Sequence, residues 1–122
     1  MSLPDLTQIE AIDQSHVQEL RAQVANDSSL YNRLYSIFVE EGPELIASLR
    51  GALPSGSHSD VHDVIHKMKG SAAAMGAKRI HTLAATAVEI CRSEGDLKDL
   101  SSLPEILERE YEQYAHEAKD LL

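Results

Sequence analysis

An all-α fold is what this sequence predicts: an antiparallel up-down four-helix bundle with an additional short N-terminal helix. Three observations carry the prediction. Apolar residues recur three and four positions apart through most of the 122-residue chain, the spacing of a helix with one buried face. Clusters of Ser, Gly and Pro interrupt that period and leave only short loops, which favour antiparallel neighbours. Aromatic residues make up only 4% and Trp is absent, so the core has to be aliphatic with close-packed Ala, which suits helices better than a sandwich. The length fits a single domain over residues 1–122 with one modest core.

The elements follow in order. A first helix is expected from Asp13 to Ala25, with Val17, Leu20, Ala22 and Val24 apolar and Asp13 or Ser15 as its cap. The stretch 26–29 breaks the pattern, and Ser28 or Ser29 is a good N-cap for the next helix. From Leu30 the apolar positions Leu34, Ile37, Phe38, Leu45, Ile46, Leu49 and Leu53 keep a helical period across Gly42 and Pro43. Proline inside a helix costs about 3 kcal/mol and kinks it. The apolar face nevertheless resumes in phase, so one kinked helix is expected rather than two. Residues 54–57 form a loop, and Ser57 or Ser59 caps a third helix, with Asp60 and Asp63 placed where anions suit the helix dipole. Gly76 marks a tight stop. A fourth helix is expected from about Ala77 to Ser93 on Ile80, Leu83, Ala84, Ala87, Val88 and Cys91, ended by Gly95. A fifth begins after Leu100, with Ser101 or Ser102 capping and Pro104 in its first turn. It runs toward Leu122 on Leu103, Ile106, Leu107, Tyr111, Tyr114 and Ala118.

Composition narrows the function classes. A net charge of −9 argues against a nucleic-acid or anionic-membrane surface. One cysteine, Cys91, cannot form an internal disulfide and fits a reducing compartment; its place on an apolar face predicts a buried, inert thiol. No apolar run approaches a membrane span, and no secretory leader pattern opens the chain. A cytoplasmic protein is expected.

The third helix carries the chemistry. At roughly 100° per residue, Val61, Val64, Ile65, Met68, Ala72 and Met75 share one broad apolar face, and His66 points almost directly away from it. By the same arithmetic Lys69, Gly70, Ala73 and Ala77 lie within roughly 60° of His66. One histidine therefore stands on a flat surface of small residues opposite the core. Gly70 costs a helix interior roughly 1 kcal/mol relative to Ala. Its position near His66 favours access for a partner over tight helix packing. Ser71 leans toward the apolar side, where its hydroxyl is expected to bond back to the helix.

The run His66, Lys69, Gly70, Ser71, Ala72, Met75 and Gly76 resembles the His-x-x-Lys-Gly pattern of the histidine-containing phosphotransfer (HPt) domains of multistep two-component signalling. The resemblance extends upstream to Phe38-Val-Glu-Glu-Gly-Pro-Glu-Leu45 and Leu49, similar to that family's second helix, and downstream to Ala77-Lys-Arg-Ile80. It implies that His66 receives a phosphoryl group and that Lys69, one turn on, offsets its charge. It implies partners as well: response-regulator receiver domains and a sensor histidine kinase of simple or hybrid type. No cofactor is implied for this chain, because Mg²⁺ and most catalytic groups belong to the receiver. The chain is then a monomeric phosphotransfer intermediate without kinase activity of its own. His62, Gly70, Ala73 and Ala77 are the expected partner-docking residues. Many relatives place Glu or Gln on the next helix facing the histidine. Val88 stands at that position here, leaving Glu89 and Arg92 as possible auxiliaries or as plain solvated surface.

The chemistry is consistent with that implication. A neutral imidazole is a competent nucleophile near neutral pH, and a lysine one turn away disfavours the imidazolium and then neutralises phosphate. The rivals are weaker. His58, His62 and His66 recur every four residues, but no HExxH or cysteine cluster accompanies them, so no metal is expected. No nucleotide loop or nucleophilic triad supports a free-standing enzyme. The serious alternative is a four-helix-bundle interaction module, a degenerate HPt scaffold whose histidine is never phosphorylated.

Overall fold

The computed structural model describes residues 2–23 and 28–119. Five α-helices form among them: α1 (Gln14–Gln23), α2 (Ser28–Ala52), α3 (His58–Ala74), α4 (Lys78–Arg92) and α5 (Leu103–Lys119). The long helices pack in chain order, α2 on α3, α3 on α4 and α4 on α5, and α5 returns to α2 to close the bundle. Two 3₁₀ turns, Leu53–Ser55 and Leu97–Leu100, shorten the connections.

Local chemistry fixes the helix ends. Asp13 caps α1: its Oδ1 accepts from the His16 amide at 3.1 Å. Ser57, not Ser59, caps α3 by accepting from the Asp60 amide at 3.2 Å. Of the expected break before α2, residues 26 and 27 lie outside the described residues, as do Val24, Ala25 and Leu122; Ser28 and Ser29 are already helical. α2 runs unbroken through Pro43, which sits on the exposed side of the helix. Gly42 beside it is buried for a different reason. A Cβ there would lie 2.6 Å from ring carbons of Tyr111, so only glycine lets α5 come this close. Gly76 holds φ at 67°, a left-handed value that ends α3 and turns the chain into α4.

The core is continuous and aliphatic, with Leu49, Val61, Ile65, Met68, Leu83, Val88, Leu103 and Leu107 fully buried. Truncating any of the large ones to Ala costs about 2–5 kcal/mol. A small aromatic knot joins α2 to α5: the Phe38 ring lies 5.0 Å edge-on from Tyr114 and 5.2 Å from Tyr111. The Tyr114 hydroxyl donates to the Met75 carbonyl at 2.8 Å and so ties α5 to the end of α3. Two positions assigned to apolar faces point outward instead. Ala22 is exposed and Ile37 is 51% exposed, because each lies roughly 100° or more round its helix from the buried stripe.

The segment before α1 packs onto the α3–α4 turn. Ile12 and Ala77 form an isolated antiparallel bridge. The Asp13 amide donates to the Gly76 carbonyl at 2.9 Å and the Lys78 amide to the Ala11 carbonyl at 3.1 Å. Arg79 Nε donates to the Ile9 carbonyl at 2.6 Å.

Candidate functional site

α3 divides as its periodicity requires. Val61, Ile65, Met68 and Ala72 are buried against the neighbouring helices, while His66, Lys67, Gly70 and Ala73 are exposed and Lys69 is half-buried. Among the described residues no hydrogen bond or ion pair engages the His66 ring or the Lys69 ammonium. Lys67 is occupied differently: its Nζ lies 3.7 Å from Glu41 of α2. A Cβ built on Gly70 meets nothing within 4 Å, so no neighbour within this chain explains the glycine.

The docking surface is smaller than helical arithmetic makes it. Ala77 does not belong to it: it is 0% exposed. The arithmetic assumes that the helix continues, but α3 ends at Ala74 and the left-handed Gly76 turns Ala77 inward beneath Ile12. His62, Gly70 and Ala73 remain on the outer side, His62 half-buried. The His62 and His66 rings stack, with centroids 5.4 Å apart and planes 12° apart. The regular four-residue spacing of histidines was the signal for this contact, since residues four apart on a helix are neighbours.

Other positions resolve individually. The Ser71 hydroxyl donates back to the Met68 carbonyl at 3.1 Å. Val88 is fully buried and offers no polar group to the site. Glu89 and Arg92 are exposed and pair with each other at 3.7 Å; no hydrogen bond or ion pair joins either to His66. His58 is the first residue of α3, and its Nε2 donates to the Gly95 carbonyl at 2.7 Å. No group of three or more metal-ligating side chains assembles among the described residues. Cys91 is buried, and burial pushes its thiol pKa up, away from thiolate reactivity. No described helix is long and apolar enough to cross a membrane.

What the arrangement offers is a solvent-facing imidazole on a rigid helix, an unpaired cation one turn away and a side-chain-free patch beside it. Such a site lies open on a helix face, where a bulky partner has room to reach the imidazole. Comparison with known proteins agrees. No curated protein and no solved structure matches the chain, but the family model described as Hpt domain matches residues 33–117, which contain α3, α4, all but the last two residues of α5 and most of α2. A match over that much of the 122 residues, with the exposed histidine inside it, shows that the chain belongs to the Hpt domain family.

Proposed function

We propose that His66 takes a phosphoryl group from the aspartyl phosphate of one receiver domain and passes it to the aspartate of a response regulator. Family membership gives the general role, histidine phosphotransfer in a phosphorelay. The observation that carries the residue assignment is the placement of His66. It is exposed on the face of α3 opposite the core, with the unpaired Lys69 one turn on and open space over Gly70.

In the forward step the lone pair of one imidazole nitrogen attacks phosphorus. The P–O bond to the receiver's aspartate breaks, its electron pair leaves with the carboxylate, and the other ring nitrogen keeps its proton. The return step reverses these events on the second receiver. Phosphoryl transfer demands alignment and charge neutralisation more than covalent help from the protein. Lys69 supplies a positive charge beside the phosphohistidine. Mg²⁺ and the remaining catalytic groups come with the receiver, so the chain acts as a monomeric cytoplasmic shuttle and not as a kinase.

The test mixes the chain with a panel of phosphorylated receivers and follows the label. Transfer should be acid-labile, as an N–P bond is, and should vanish in His66→Gln while the helical fold survives. Label retained by that variant would refute the assignment. A wild-type chain that binds receivers but never takes label would instead establish the interaction-module reading.

A further inference from the structure

We infer that His62 is a positioning residue for His66: its stacked ring holds the His66 imidazole in one rotamer on the outer face of α3. The inference rests on His66 being the phosphoryl acceptor, and it concerns how that ring is aimed.

An exposed side chain near the middle of a helix is ordinarily free to turn. In a helix χ1 samples two of its three wells, and χ2 of an imidazole is roughly two-fold, so about four ring placements compete. In-line attack on phosphorus uses only one of them, because the reacting atoms must meet at about 3–3.5 Å with the lone pair aligned. Something must select it, and the usual means are missing here. No hydrogen bond engages the His66 ring among the described residues. Val88 of α4 is buried and apolar and offers the ring no polar partner. The contact that is present is the His62 ring, parallel to within 12° at a centroid distance of 5.4 Å, inside the range of favourable ring stacking.

His62 is suited to the task because it is the more buried of the two rings. Its side chain is 28% exposed, with Asp63 Oδ1 3.6 Å from its Nδ1. It lies one turn N-terminal to His66, the direction in which long side chains on a helix lean, so the two rings meet without strain. Lys69, one turn beyond His66 on the other side, is left to face the phosphate. The nucleophilic ring thus has a flat wall on one side and a cation on the other, and the partner approaches from the outside.

The experiment uses the full chain as wild type, His62→Ala, His62→Gln and His62→Phe. Each is phosphorylated by a phosphorylated receiver and, separately, by phosphoramidate, which needs no docking surface. Three-bond couplings of His66 in the unphosphorylated proteins report its χ1 directly. We expect one dominant rotamer in wild type and averaged couplings in His62→Ala and His62→Gln. Both variants should react roughly two- to fourfold more slowly with both donors, the loss of one placement among about four. His62→Phe, which keeps a stacking ring without an ionisable group, should restore couplings and rate. If His62→Ala lowers the melting temperature, His62→Gln, a good helix former, serves in its place.

Averaged couplings in wild type would overturn the inference, as would failure of Phe to restore the rate. Slowing with the receiver alone would also overturn it and make His62 a docking contact. A wild type that accepts phosphoryl from neither donor would refute the acceptor assignment instead, while the couplings would still decide the role of His62.

Discussion

Replacing Gly70 with glutamine should make the protein more stable and a worse phosphoryl carrier, and both halves can be estimated. Glycine costs a helix interior about 0.8–1 kcal/mol, and glutamine is close to the best helix formers. A Cβ at Gly70 meets nothing within 4 Å, so no clash offsets the gain. For a chain of this size that gain corresponds to a rise in Tm of about 3 °C. Transfer should respond in the opposite direction. Residue 70 lies one turn from His66, with β-positions about 5–6 Å apart, and a glutamine side chain there occupies the path of an incoming receiver. Displacing the reacting groups by about 1 Å costs roughly 100-fold, so a loss of tenfold or more is expected. Thermal melts and single-turnover transfer from a phosphorylated receiver measure the two quantities. Gly70→Ala is the control: it should gain most of the stability and lose little transfer. Normal transfer in Gly70→Gln would show that the open patch is not the approach path. A fall in Tm would mean that the outer face of α3 is covered.

Three further outcomes follow from the same geometry. Lys69→Ala should change stability by less than about 0.5 kcal/mol, as an unpaired surface charge does, yet slow phosphorylation or shorten the phosphohistidine lifetime; unchanged kinetics in both directions would assign Lys69 to solvent alone. Gly42→Ala should destabilise despite its better helix propensity, by about 1–3 kcal/mol of overpacking, because its Cβ would fall 2.6 Å from the Tyr111 ring; a raised denaturation midpoint would refute this. Stability should decline on the alkaline side: burial raises the pKa of Tyr111, helped by the Glu41 carboxylate, and burial raises that of Tyr114, helped by Tyr31 and Tyr35. Each phenol is then protonated in the native state where the unfolded chain has lost the proton, so stability is intact below about pH 10 and falls above it by up to about 1.4 kcal/mol per pH unit per group. Equal urea midpoints at pH 9 and pH 11 would contradict it.

Much of this was legible in the sequence because helices repeat on a fixed period. The bounds of α4 fell within one residue of expectation, and α2 continued through Pro43 because its apolar face stays in phase. The outward placement of His66 needed only 100° steps along one uninterrupted helix. The failures lie where that period stops or where two distant segments meet. Ala77 was misplaced because the arithmetic was carried across a left-handed glycine. The packing of residues 9–13 on the α3–α4 turn depends on a bridge between positions far apart in sequence, which no local pattern announces. Gly42 looks like part of a kink in sequence. Its reason is a tyrosine ring on α5. The His62–His66 stack was visible as a spacing, but whether two exposed rings lie flat together depends on rotamers.

α3 is also clamped at both ends, and by the same kind of bond. At its start His58 Nε2 donates to the Gly95 carbonyl at 2.7 Å, and at its finish His16 Nε2 donates to the Ala74 carbonyl at 2.9 Å. Each bond fastens the helix to a different part of the chain, one to the loop after α4 and the other to α1. A strut fixed at two points neither slides along its axis nor rolls when pushed from the side. If His66 acts as proposed, a target held at constant height and bearing can serve donor and acceptor in turn without being reset between them.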